Sequence, residues 1–242
     1  ELGLHPAMGP MKEIYDSGQM AVVHGVGYAN SPRSHFRSMD IWHTCEPDKV
    51  GTEGWLGRAL RDIDPEGTSP VTGVNIGQAL PRAMVAPGVS VASVADLSTY
   101  GLLTGIEEEE TRSKMLERFA NMYGPAIGTG PVMDYLGQTG LDALKGADIL
   151  KAAPDGYSSE VEYGSNNIAR SLRDVAMIHI ANLGTRVFYT QHGSFDTHSS
   201  QLGTHASLWK EIGEGIGDFW DDLIEHNAAD DMVLLLFSEF GR

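Results

Sequence analysis

Three apolar runs, each followed by a loop crowded with polar and ionisable residues, constrain this chain more than any other feature. Met20–Val26 leads into Arg33-Ser34-His35-Phe36-Arg37. Thr185–Thr190 leads into His192-Gly193-Ser194-Phe195-Asp196-Thr197-His198, and Met232–Phe237 into Ser238-Glu239-Phe240-Gly241-Arg242. A strand apolar at successive positions has both faces covered, which is the pattern of inner strands in a parallel sheet. Between the last two runs the period changes to that of a helix, with Trp209, Ile212, Ile216, Phe219 and Leu223 on one face. Another helical stripe, Ile168, Leu172, Val175 and His179, precedes them. Helix, strand, helix, strand in this order predicts right-handed βαβ units. The fold class read from the chain is therefore α/β, a sandwich with a mostly parallel central sheet. Such sheets bind ligands outside the carboxyl ends of their strands. If the three runs are parallel neighbours, their loops meet in one cleft.

The remaining chain supplies further elements. Helices are predicted over Pro6–Asp16, about Ser34–His43, Trp55–Ile63 and Val132–Leu150, with Gly18 closing the first. Thr104 and Glu107 form a capping box for a helix running to about Tyr123, which puts the acidic run Glu107–Glu110 in its first turn. Val71–Ile76, Arg82–Ala86 and Val89–Val94 read as short β-like runs separated by Gly77 and Pro87-Gly88. One α/β domain over residues 1–242 is expected, with residues 71–163 a peripheral insertion of short strands and helices. The chain does not start with Met, and it stops soon after a strand-like run, so it reads as an internal fragment. Gly213, Gly215 and Gly217 alternate inside a helical pattern rather than after a strand, which fails the dinucleotide-binding context and predicts close helix packing. His24 and His179 are read as core histidines.

Charge narrows the function classes. Lys plus Arg number 17 against 33 Asp plus Glu, a net charge of −16. That field repels polyphosphate, so nucleic acid is not expected as a partner and anionic membrane surfaces are poor ones. No apolar run reaches the length of a membrane span, and no signal peptide is visible. The single cysteine, Cys45, excludes an internal disulfide framework and a cysteine-cluster metal site. The oligomeric state is not legible.

Asp196 and His198 stand two apart in a loop, so an extended backbone presents both side chains on one side. A carboxylate and an imidazole so placed are candidate ligands for Zn²⁺, Mn²⁺, Mg²⁺ or Ca²⁺. Glu239 offers another oxygen, and His205 another nitrogen. The structural alternative makes Asp196 a helix cap and His198 a surface histidine. Ser34 is a candidate nucleophile or anion clamp, with His35 beside it and Arg33, Arg37 and Arg242 as guanidinium contacts for an anionic substrate. The alternative there is an N-cap serine with exposed basic neighbours.

The motif Arg33-Ser34-His35-Phe36-Arg37-Ser38-Met39-Asp40-Ile41-Trp42-His43 resembles the bacterial family called domain of unknown function 1501. Leu4-His5-Pro6-Ala7-Met8, Val22-Val23-His24-Gly25-Val26-Gly27-Tyr28, Gly54-Trp55-Leu56-Gly57-Arg58, Phe195-Asp196-Thr197-His198 and Ser238-Glu239-Phe240-Gly241-Arg242 carry the same likeness. The resemblance implies a three-layer, alkaline-phosphatase-like α/β fold with a divalent metal at the carboxyl edge of the sheet. It also implies an exported, periplasmic or otherwise extracytoplasmic protein, and in-line displacement at phosphorus or sulfur of a small anionic ester. Asp196 and His198 would then be metal ligands, Glu239 a ligand or its support, and Ser34 with His35 the catalytic pair. The family's Gly-Gly-x-Asp-Gly-like and Thr-Asp-His-Gly-like motifs are missing from these residues, so a partial ligand set and weak metal binding are expected. The rival expectation is a non-catalytic binding protein that uses the same cleft for an anionic glycan or partner.

Overall fold

The computed structural model describes residues 3–97, 108–124 and 130–240. Its helices are α1 (Gly9–Asp16), α2 (His35–Thr44), α3 (Trp55–Ile63), α4 (Glu109–Tyr123), α5 (Pro131–Leu150), α6 (Asn167–Ile180) and α7 (Gln201–Glu225). The strands are β1 (Gly73–Ile76), β2 (Val91–Val94) and β3 (Val187–Tyr189). They form a parallel sheet in the order β2-β1-β3. The chain is thus α/β with a small parallel sheet among many helices.

Strand alternation sends side chains to two clusters. Val74 and Ile76 of β1, Ala92 and Val94 of β2, and Phe188 of β3 join the main core with residues of α6 and α7. Val187, Tyr189 and Val91 point the other way, to Leu60 of α3 and to Met84. The period of two along a strand is what divides them. Gly73 shows how close the second layer comes: a Cβ there would lie 2.6 Å from Leu60 Cδ1.

The alternating glycines of α7 serve the expected close packing. A Cβ on Gly213 would lie 3.2 Å from Met8 Cα, and one on Gly217 would lie 2.6 Å from Pro10 Cβ. Gly215 faces Ala169 at the start of α6, 3.4 Å from its Cα. The long helix is therefore notched on two sides, for α1 and for α6.

Two of the three founding strand expectations are corrected. Met20–Val26 and Met232–Phe237 join no sheet among the described residues, and most of their apolar side chains are exposed. Val233, for example, is 93% exposed. Apolar content predicts burial, but a strand exists only where a second backbone supplies its hydrogen bonds. β3 pairs with β1 alone. The pairing partners come instead from residues 71–163, expected as a peripheral insertion, which supply β2 and the central strand β1. Arg82–Met84 is a turn of 3₁₀ helix rather than a strand. His24 is exposed rather than a core residue, while His179 packs edge-on against Phe188. Thr104 and Glu107 of the expected capping box lie outside the described residues.

Candidate active site

The three loops singled out in the sequence are brought together although two of the runs before them are unpaired. His35, the first residue of α2, lies between carboxylates from the other two loops. Its Nδ1 is 3.1 Å from Glu239 Oε1 and its Nε2 is 3.5 Å from Asp196 Oδ1. His198 Nε2 approaches Asp196 at 3.0 Å. Four side chains from chain-distant segments thus form one continuous set.

Aromatic packing positions each member. Phe237 stacks on Trp42 and Phe240 lies against His35 with ring centroids 4.9 Å apart, which pins the segment carrying Glu239 over α2. Phe195 packs edge-on against Trp209 and His205 of α7, so its neighbour Asp196 is held outward. His205 is part of that aromatic cluster, which fixes the loop. Glu239 is the most enclosed of the four at 14% side-chain exposure, whereas His198 is 81% exposed.

Ser34 caps α2. Its hydroxyl accepts from the Arg37 amide at 3.5 Å, the role of an N-cap serine. The Arg37 guanidinium is engaged too, with Asp40 Oδ2 at 2.6 Å and the carbonyls of Pro47 and Lys49 at 3.2 and 2.8 Å. The structure therefore gives Arg37 an internal bracing position rather than an open anion-binding one. Arg33 and Ser34 are exposed. Arg242 lies outside the described residues.

Several neighbours escaped the sequence reading. Met39 and His43 lie on the same ridge of α2 as His35, four and eight residues on, a spacing that was legible. His43 Nε2 is 3.1 Å from the Tyr189 hydroxyl, at the end of β3. Burial holds the His43 imidazole below its ordinary range, against the opposing pull of Asp40, and burial raises the Tyr189 phenol. Arg82, from the 3₁₀ turn, pairs with Asp40 Oδ1 at 2.7 Å. His35, Phe36, Met39, Asp40, His43 and Arg82 line a pocket of about 350 Å³.

A second polar cluster sits at the far end of α7. The Asp222 carboxylate is fully buried and accepts from the hydroxyls of Tyr157 and Tyr163 at 2.8 and 2.7 Å. Burial and that contact push the Tyr157 phenol up to about 12, and the Tyr163 phenol upward as well. Asp222, Glu225 and His226 are the one group among the described residues whose candidate ligand atoms all lie within 4.8 Å of one another. His226 does not offer a lone pair there. Its Nδ1 faces the Asp222 carbonyl at 2.9 Å and its Nε2 faces the Ser158 carbonyl at 3.0 Å, so both ring nitrogens act as donors. The contacts to these carbonyls raise the His226 imidazole above its ordinary range. A raised histidine contributes stability that is fully present below the unfolded value of about 6.5 and is lost as pH rises through the higher folded value. The melting temperature of the wild type should exceed that of His226→Gln at pH 5.5, with the gap closing in melts at pH 8.5. A gap that widens with pH would refute the donation by both His226 ring nitrogens.

Residues 150–242 match the model of a family described as Protein of unknown function (DUF1501). That segment includes Asp196, His198 and Glu239 but not His35. No curated protein and no solved structure matches the chain. The carboxyl-terminal part of the chain, which carries the two acidic members of the site, is thus similar to a family whose activity its description leaves open.

Proposed function

We propose that the chain is part of a metal-dependent hydrolase of phosphate or sulfate esters, built on a three-layer, alkaline-phosphatase-like arrangement and working outside the cytoplasm. The observation that carries this reading is the meeting of His35, Asp196, His198 and Glu239 from three separate loops. Two carboxylates and two imidazoles suit Zn²⁺ or Mn²⁺ by donor type. The geometry also supports a division of labour. In the tautomer that donates Nδ1–H to Glu239, the Nε2 lone pair of His35 faces the Asp196 oxygen. Two electron-rich atoms 3.5 Å apart are satisfied by a cation between them. Asp196, His35 and His198 would then be the ligands once the two imidazoles, whose nitrogens do not lie within 4.8 Å of each other here, drew in around the ion. Glu239 would orient His35 from behind, as carboxylates commonly do for ligating histidines.

A divalent ion held there would polarise an ester oxygen and generate hydroxide from water near neutral pH. The protein's own contributions are positional. Glu239 fixes the tautomer of His35. Asp196 gathers both imidazoles onto one carboxylate. Phe195, Phe237 and Phe240 hold the loops in register by packing. The engaged state of Ser34 and Arg37 supports water, rather than serine, as the attacking group. The same observation favours the non-catalytic binding protein as a second reading, because the Ser34 hydroxyl serves as the cap of α2.

Metal analysis of the purified chain, paired with a screen of aryl and alkyl phosphate and sulfate esters, tests the proposal. Turnover that chelator removes and Zn²⁺ or Mn²⁺ restores is the expected result. Bound metal with no turnover of any ester points to the binding protein. Neither metal nor turnover rejects the proposal.

A further inference from the structure

We infer that the pocket beside His35 takes the neutral, largely apolar alcohol part of the ester, an aryl group rather than a sugar or a charged chain. The inference rests on the hydrolase reading for the reaction but on separate residues for the specificity. His35 belongs to both places: its nitrogens face Asp196 and Glu239, and its ring lines the pocket. A leaving group attached to an anion at the carboxylate–imidazole set therefore has this concavity as its neighbour.

The lining decides what fits. Phe36 and Met39 supply apolar surface, and the imidazoles of His35 and His43 complete the uncharged lining. Phe36 is 92% exposed, an unusual position for a phenylalanine, and it stands at the pocket without a covering element. Aromatic rings stack offset or edge-on with such groups, and thioether sulfur favours ring edges. The charged lining residues are already engaged. Arg82 is tied to Asp40 and donates to the Gly51 carbonyl, and Asp40 is also held by Arg37. The pocket thus has no free guanidinium for a second phosphate and no free carboxylate for an ammonium group. A sugar's hydroxyls would meet few unspent hydrogen-bonding partners among these six residues. The depression of about 350 Å³ is open to solvent and has room for one ring.

In the hydrolysis, water oxygen bonds to phosphorus or sulfur, the bond to the alcohol oxygen breaks, and the alcohol leaves with one of the water's protons. Phenol is then the product that the pocket would hold. Two measurements separate this inference from the reaction it rests on. The first is an NMR titration of methionine-methyl-labelled protein with phenol and, separately, glycerol, read at Met39. The second is kcat/KM for phenyl and methyl esters in the wild type and in Phe36→Ala. Phenol, not glycerol, should shift the Met39 methyl signal. Phe36→Ala should weaken phenol binding about fivefold to tenfold, the factor expected for losing one apolar contact face. It should also lower the phenyl-to-methyl preference by a similar factor. Ester turnover with no phenol shift and an unaltered preference would overturn the pocket assignment while leaving the hydrolase intact. A phenol shift with no turnover of any ester would support the pocket and remove the hydrolase.

Discussion

Gly54→Ala is expected to destabilise the fold by about 3 kcal/mol or more, because there is no room for one methyl group. A Cβ at Gly54 would stand 2.1 Å from the carbonyl oxygens of both Arg82 and Ala83. Both are backbone atoms, so no side-chain rotation relieves the overlap. The Gly54 amide also donates to the Val85 carbonyl at 2.7 Å, which ties the start of α3 to the same turn. Conformation is not the obstacle, since φ −73 and ψ 147 are open to any residue. Alanine would also stiffen the unfolded chain, which favours folding by about 0.4–1 kcal/mol. The steric term is larger and opposite, so destabilisation wins. At roughly 2–4 °C per kcal/mol for a chain of this size, the melting temperature should fall by roughly 6–12 °C. Gly27→Ala is the control, with nothing within 4 Å of its added Cβ, and should change stability by no more than about 0.5 kcal/mol. Equal melting temperatures for the two variants would refute the close approach of α3 to the 3₁₀ turn. The same variant should loosen Arg82 from Asp40, because Arg82 lies in the turn that would have to move.

Gly54 also shows why some of the sequence was legible and some was not. Its motif, Gly54-Trp55-Leu56-Gly57-Arg58, could be recognised as a string, but the atoms it must admit belong to residues about thirty positions away. Helices are local, and their stripes and caps were readable: α2 begins behind Ser34, α6 carries the stripe from Ile168 to His179, and α7 shows its notches at Gly213, Gly215 and Gly217. Strands are not local. Val74 and Val94 have the same apolar character as Val23 and Val233, yet the first two are buried in the sheet and the last two are exposed. What separates them is the presence of a pairing backbone, which composition does not encode. The candidate site was legible for a different reason. Asp196, His198 and Glu239 are hydrophilic groups in loops and His35 opens a helix just after one, and the structure brings them together. His43, Met39 and Arg82 were missed because each looks like an ordinary residue of its own element. Only the fold turns them into a pocket wall.

Asp196→Asn should abolish metal retention and lower ester turnover on the order of 10³-fold, with little effect on folding. The substitution keeps shape and volume and removes only the charge on which His35 and His198 converge, at 3.5 and 3.0 Å. Its side chain is 46% exposed, so the amide meets water and leaves no buried group unsatisfied. Glu239→Gln should act differently. If Glu239 orients His35 through Nδ1 rather than binding the ion itself, its loss should cost about 10–100-fold in metal affinity and leave turnover at saturating metal much closer to wild type. The two variants therefore rank the acidic groups: one should be dead at any metal concentration, the other rescued by excess. Metal content by mass spectrometry and turnover against added Zn²⁺ or Mn²⁺ read both quantities. The division of roles fails if Glu239→Gln cannot be rescued while Asp196→Asn can, and the whole site fails if both variants keep wild-type metal and activity. Unchanged melting temperatures in both would show that the losses arise at the cluster, not from unfolding.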